Sequence, residues 1–341
     1  MKPEQKKKIE YILRKTAQML LVLVVLSVII FVLARLCPGD PLRAYYGDGL
    51  DRMSETQKEL ARDKLGLNDS LPVQYIRWVQ ELSHGDLGLS YKYKRPVTEV
   101  IKNVWVNTLA LGGISYVLTF LFSILLGRFC ALREGTLTDR ILQRLGVISG
   151  SIPAFFLALL LILLFAVNLH IFPPGGAYSL GQSDNLADRI WHLVLPVTVL
   201  VLGHLWYYAY MIRNKLMEET RKEYVMLCKA QGIPRRQILN YYCFRNIVPA
   251  LLTIMAISVP HILGGTYVVE MVFSYPGLGT LSFESALYKD YNMLMALCML
   301  TGLVVVISNL AAQIISEFID PRMQYELTEE VAASTTRHLI C

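Results

Sequence analysis

The chain has 341 residues, of which 54% are hydrophobic and 18% charged, and its formal charge is +6. Soluble domains carry about 25% charged residues; the deficit here falls in long apolar runs, which excludes disordered, collagen-like, coiled-coil and small secreted classes. The small, dispersed positive charge excludes a nucleic-acid binder, whose basic residues crowd one face, and leaves a protein surrounded by membrane lipid.

Residues 1–15 form a basic tail, and no Lys, Arg, Asp or Glu occurs from Thr16 to Ala34. That run approaches the ~20 apolar residues that cross a hydrocarbon core, so 16–35 is read as the first transmembrane helix. A signal peptide would have a shorter apolar run and a small-residue cleavage site, whereas this run leaves through Arg35, Leu36 and Cys37. It is read as an uncleaved helix. Residues 36–102 follow as an extracytoplasmic segment with helical periodicity, in which Leu60, Leu65, Tyr75, Ile76, Val79 and Leu82 are spaced for one apolar face. It is either a passive spacer or a docking surface for a partner that delivers solute.

Five more apolar runs lie near 106–127, 146–167, 191–212, 247–269 and 293–316, inside a core of 103–318, and residues 319–341 form a C-terminal tail. Backbone polar groups cannot go unpaired in lipid, and barrel strands would be shorter and alternating, so the predicted fold is all-α with six transmembrane helices. Twenty of the 33 Lys and Arg residues fall on one side if the N-terminus is inside, and the short loops 168–190 and 271–290 on the other side carry one each. The positive-inside rule then puts both termini in the cytoplasm. The six cysteines, at 37, 130, 228, 243, 298 and 341, lie far apart, so neither a disulfide framework nor a thiolate metal site is signalled.

The cytoplasmic segment 213–245 carries eight basic residues against Glu218, Glu219 and Glu223. The two glutamates at 218 and 219 suit an early helical turn, Gly232 can stop that helix and Pro234 can open the next. Solvated positive-inside charge accounts for the basic residues taken singly. It does not account for Tyr224, Val225, Leu227 and Cys228 interleaved among them, because an apolar stripe on such a helix needs lipid headgroups or a protein groove.

Ionisable residues inside spans are costly and mark functional sites by default. His204 and His261 both lie near mid-depth, the second beside Pro260 and followed by Gly264 and Gly265, and these two faces are expected to line the solute path. The alternative is that each neutral imidazole is satisfied by a neighbouring helix. No further ligands stand at a metal-binding spacing, so no metal site is assigned. Glu270, at the outer end of the fifth span, either gates the outer mouth, contacts a binding protein or is a helix-end carboxylate beside water. Asn309 and Gln313 share a face of the last span, Gly146 and Gly150 form a small-residue pair, and Trp206, Tyr207, Tyr208 and Tyr210 approach the inner interface.

Glu223-Tyr224-Val225, Lys229-Ala230-Gln231-Gly232, Arg245-Asn246 and Pro249 resemble the cytoplasmic-loop signature of permease subunits of binding-protein-dependent ABC importers. Other stretches resemble the dipeptide, oligopeptide and nickel branch. They are Pro38-Gly39-Asp40-Pro41, Leu65-Gly66-Leu67 with Gln74-Tyr75, Gly85-Asp86-Leu87-Gly88 with Ser90, Ser151-Ile152-Pro153, Leu195-Pro196, Gly264-Gly265, Glu270 with Phe273, Pro276-Gly277-Leu278-Gly279 and Asp320-Pro321-Arg322. The resemblance runs from about residue 10 to 323. One departure stands out: Met226, Leu227 and Cys228 precede Lys229 where the family usually has small residues.

The resemblance implies a type I importer permease with no catalytic residues, in the plasma membrane of a bacterium or archaeon. It implies a second, similar permease, two cytoplasmic ATPase subunits that use ATP and Mg, and an extracytoplasmic solute-binding protein. Glu223, Tyr224, Val225, Cys228, Lys229, Ala230, Gly232, Ile233 and Pro234 are its expected ATPase-coupling residues. The solute would be a peptide, nickel or a metal chelate. The residues agree on one point: the chain has no Gly-x-x-x-x-Gly-Lys-Ser/Thr phosphate loop, so no cofactor of its own is expected. An ion-coupled secondary transporter is the competing class, and should show two related halves with interrupted helices.

Overall fold

The computed structural model describes residues 3–36, 41–64 and 66–319. Pro38-Gly39-Asp40, Leu65, Asp320-Pro321-Arg322 and the tail beyond 319 lie outside the described residues, as does the side chain of Gln313. Among the described residues the chain is all-α, with no strand beyond an isolated bridge between Leu89 and Pro96. The helices used below are α1 (Pro3–Leu36), α2 (Glu55–Lys64), α3 (Leu71–Ser83), α4 (Val97–Leu132), α5 (Leu137–Ile148) and α6 (Ala154–Leu161). They continue with α7 (Leu186–Glu219), α8 (Glu223–Ala230), α9 (Arg235–Val272), α10 (Leu278–Leu287) and α11 (Tyr291–Ile319).

Five of these, α1, α4, α7, α9 and α11, are long and apolar enough to cross a membrane, and α5 and α6 together make a sixth span if counted as one. The predicted third span differs from a straight rod. Its two halves, Leu137–Ser151 and Ala154–Asn168, meet at 102°. Pro153 lacks an N–H and disfavours helical backbone in the residue before it, and Ile152 is extended at φ −89°, ψ 115°. Pro196, Pro249 and Pro260, by contrast, sit inside helices that continue through them.

The chain divides into two compact units. The first comprises residues 1–110, 175–189 and 270–306. In it, α3 packs on α1 through Tyr75 and Trp78, whose rings lie 5.4 and 6.0 Å from that of Phe31, and the Tyr75 hydroxyl is 2.8 Å from Ser27 Oγ. The apolar face of this segment is therefore rotated from the expected one: Leu60, Ile76 and Val79 are exposed. Gln74 is buried there instead, its amide donating to the Asp69 carbonyl at 2.7 Å. A second cluster joins Val97 and Val100 of α4 to Leu281 of α10 and to Met293, Ala296 and Leu297 of α11.

The second unit comprises residues 111–174, 190–269 and 307–341. Here α5 lies against α7. Arg213 grips Asp139 with two hydrogen bonds of 2.8 Å, both side chains largely buried. Gly146 makes room for Tyr210, since a Cβ there would collide with its ring, whereas Gly150 faces open space. Of the aromatic run, Tyr208 is buried against Phe120 at 4.9 Å and Tyr207 is exposed.

Candidate functional site

The segment 213–245 folds as a helix end, a short helix and a bend, all within the second unit. The break comes later than expected: Glu218 and Glu219 finish α7, and the chain turns at Thr220–Lys222. Glu223 then provides the acidic first turn of α8, where a carboxylate meets the positive end of the helix. Gly232 ends the element at φ +75°, a left-handed conformation that side chains resist. Its N–H bonds the Lys229 carbonyl and that of Ile233 bonds the Cys228 carbonyl. Pro234, extended, precedes the first residue of α9.

Two faces of α8 have different work. Val225 and Cys228 point inward, buried among Ile212, Leu216 and Met217 of α7 and Ile238, Leu239, Cys243, Ile247 and Leu251 of α9. Met226 and Leu227 point outward and are 68% and 62% exposed. Glu223, Lys229, Ala230, Gly232 and Pro234 are also exposed, while Tyr224 and Ile233 are half-buried. Of the nine expected coupling residues, Val225 and Cys228 thus anchor the helix to its own chain. The outward apolar surface belongs to Met226 and Leu227, two of the three residues that depart from the resembled pattern, while the third, Cys228, is buried.

Beneath α8 lies a cluster the sequence did not reveal. Glu219 is 6% exposed. Its carboxylate accepts hydrogen bonds from Tyr224 Oη at 3.0 Å and Asn246 Nδ2 at 3.1 Å, and pairs with Lys222 Nζ at 2.7 Å. Burial, the bond to Cys243 Sγ and the bond to Glu219 push the Tyr224 hydroxyl well above the usual tyrosine range, so it remains a donor at any physiological pH.

The expected path residues are divided between the units. In the second, His204 and Gly265 meet: a Cβ at Gly265 would sit 3.4 Å from the imidazole Cε1. His204 Nδ1 is 2.8 Å from the Leu200 carbonyl, and its ring stacks on Tyr208 at 6.2 Å. His261 is exposed, and nothing approaches the Cβ position of Gly264. Among the described residues no group of three or more His, Cys, Asp or Glu could hold a metal ion.

Glu270 belongs to the first unit and is not a helix-end carboxylate beside water, one of the three readings its sequence position allowed. It is fully buried. Thr108 Oγ1 donates to Oε1 at 2.7 Å, while the N–H groups of Gly279 and Thr280 donate to Oε2 at 2.6 and 3.2 Å. These are first-turn amides of α10, whose unpaired N–H groups and dipole attract an anion. Gly277 is required beside it, because any Cβ there would run into the carboxylate.

Residues 123–325 match the family described as the binding-protein-dependent transport system inner membrane component, and residues 8–112 match that system's N-terminal membrane region. The chain belongs to this family. It is similar to the oligopeptide transport system permease protein AppB of Bacillus subtilis, at 33% identity over 92% of this chain and 99% of that one. It is also similar to the nickel import system permease protein NikB of Staphylococcus aureus, at 31% identity over 97% and 99% of the two chains. A solved structure of the MetNI methionine ABC transporter shares the fold with a TM-score of 0.53 at 19% identity, over 65% of this chain and 96% of that one.

As a member of this family the chain is a multi-pass membrane permease of an ABC importer, a transport component, and the ion-coupled secondary transporter is set aside. The burial of Glu219 is not legible in the sequence, because a glutamate in a run of charges reads as solvated. Only the placement of Asn246, 27 residues on, shows that it is enclosed.

Proposed function

We propose that this permease forms half of a translocation pathway for a peptide or for nickel or another metal chelate. The solute is delivered by an extracytoplasmic binding protein, and a second, similar permease supplies the other half. In this reading α8 seats in a cleft of one of two cytoplasmic ATPase subunits, where ATP and Mg are bound and hydrolysed, and this chain binds no cofactor. Both termini lie in the cytoplasm of a bacterial or archaeal cell. His204, His261, Gly264 and Gly265 border the path in the second unit, and Glu270 serves it by holding the turn before α10.

The observation that carries this reading is α8 itself. Its inner residues fix it to α7 and α9, and Met226 and Leu227 stand in the open on a loop with more positive than negative charge. Such an apolar pair fits a groove on another protein. The relatives named for oligopeptide and nickel transport supply the solute classes to be tried.

The test is uptake into proteoliposomes holding this chain, its partner permease, the ATPases and the binding protein, with labelled oligopeptide and nickel offered separately. Uptake of one solute should require ATP and Mg and survive an ionophore. Uptake that ignores ATP and collapses with the ion gradient would overturn the reading.

A further inference from the structure

Glu219 stands where a carboxylate is unwelcome. It is the last residue of α7, and the C-terminus of a helix carries partial negative charge that raises the cost of an anion. It is also 6% exposed, and burying a charge is costly unless it is paired and hydrogen-bonded. A carboxylate facing both penalties is retained only if its partners offset them.

Those partners come from three separate places. Lys222 precedes the first residue of α8, Tyr224 lies in its first turn and Asn246 lies in α9. The Tyr224 hydroxyl also lies 3.6 Å from Cys243 Sγ on α9. One side chain on α7 is thus bonded to the start of α8 and to α9. The apolar packing of Val225 and Cys228 attracts without fixing direction, whereas hydrogen bonds to a carboxylate fix angle as well as distance.

We infer that Glu219 is a positioning residue that ties the coupling helix α8 to α7 and α9 at once, so that a displacement imposed on α8 by an ATPase moves both spans together. This rests on the reading that α8 seats in an ATPase. Without the carboxylate, α8 would still be held by its buried side chains and would still present Met226 and Leu227, but it could slide against the spans. ATPase binding and transport would then separate.

The experiment uses the complete importer in proteoliposomes and reads three quantities: ATPase co-purified per permease, ATP hydrolysed, and solute moved per ATP. For Glu219→Ala, co-purified ATPase should match the unsubstituted complex while solute moved per ATP falls about fivefold, within the range of single-residue coupling effects. Glu219→Gln, which keeps one acceptor oxygen but not the pair with Lys222, should fall between them. Tyr224→Phe, lacking only the hydroxyl, should lower the ratio on its own and add little to Glu219→Ala, as expected of residues in one network.

A solute-to-ATP ratio unchanged in both Glu219→Gln and Tyr224→Phe would overturn the inference. So would equal losses of solute transport and ATPase binding, since that pattern marks a merely structural role. If Glu219→Ala fails to accumulate in the membrane, the two conservative variants decide. Failure of the unsubstituted permease to retain any ATPase would instead refute the seating of α8, a separate result.

Discussion

Glu270 and Glu219 are both buried carboxylates at helix ends, one in each unit, and they are held by different means. Glu270 faces the N-terminus of α10 and is met mainly by backbone N–H groups, donors whose position is set by the helix. Glu219 stands at the C-terminus of α7 and is met by three side chains, of which Lys222 is 58% exposed. A carboxylate caught by main chain makes a fixed corner. One caught by side chains makes a joint between the elements that carry them, held less firmly where a partner such as Lys222 reaches solvent.

The largest effect is therefore expected at Glu270. Glu270→Ala strands Thr108 and two first-turn amides of α10 in a dry site, and should destabilise the permease by about 3 kcal/mol or more, given ~1–3 kcal/mol for each unsatisfied buried group. Thermal unfolding in detergent measures this, with Gly277→Val expected to be as severe because its side chain and the carboxylate need the same space. Glu219→Ala should cost less, about 2 kcal/mol, since Lys222 is free to turn to solvent. If the two losses ranked in the opposite order, the distinction between corner and joint would be wrong.

A third expectation concerns pH. Burial alone raises the Glu284 carboxyl, but hydrogen bonds from Lys92 at 2.5 Å and from Tyr93, with the charge of Lys92, outweigh it and leave the group below its ordinary value of 4.5. A carboxylate with a depressed folded value contributes stability above its unfolded value and loses it as pH falls through the folded one. Melting curves of the Glu284→Gln variant and the unsubstituted chain should thus differ at neutral pH and converge as the pH falls through the depressed folded value of Glu284. The difference should not exceed about 1 kcal/mol, because Glu284 is 41% exposed. The smallest stability effect belongs to Met226→Ser and Leu227→Ser, within about 0.5 kcal/mol as for other exposed sites. Their effect should fall on ATPase co-purification.

Much of this architecture could be read from the sequence because hydrophobic length and charge placement act locally. The break at Gly232 and Pro234 follows from backbone sterics of those residues alone, and it appears where expected. The bend at Pro153 was present in the same kind of signal, yet apolar length suggested an unbroken span; Pro196 and Pro260 show that proline by itself does not decide. The site was legible as a loop but not as two faces. Val225, Met226, Leu227 and Cys228 are all apolar, and only packing against α7 and α9 separates the inward pair from the outward one. The burial of Glu270 and Glu219 was hidden for a related reason: burial of a carboxylate depends on donors as distant in sequence as Thr108, 162 residues away.

The seating of α8 is tested most directly by a photoreactive amino acid placed at Leu227 in the assembled importer, with the same probe at Leu180, an exposed position in the loop before α7, as the control. Irradiation should join the Leu227 probe to an ATPase subunit and leave the Leu180 probe unattached to it. An importer that hydrolyses ATP and moves solute, yet yields no ATPase adduct from Leu227, would contradict the role assigned to this helix.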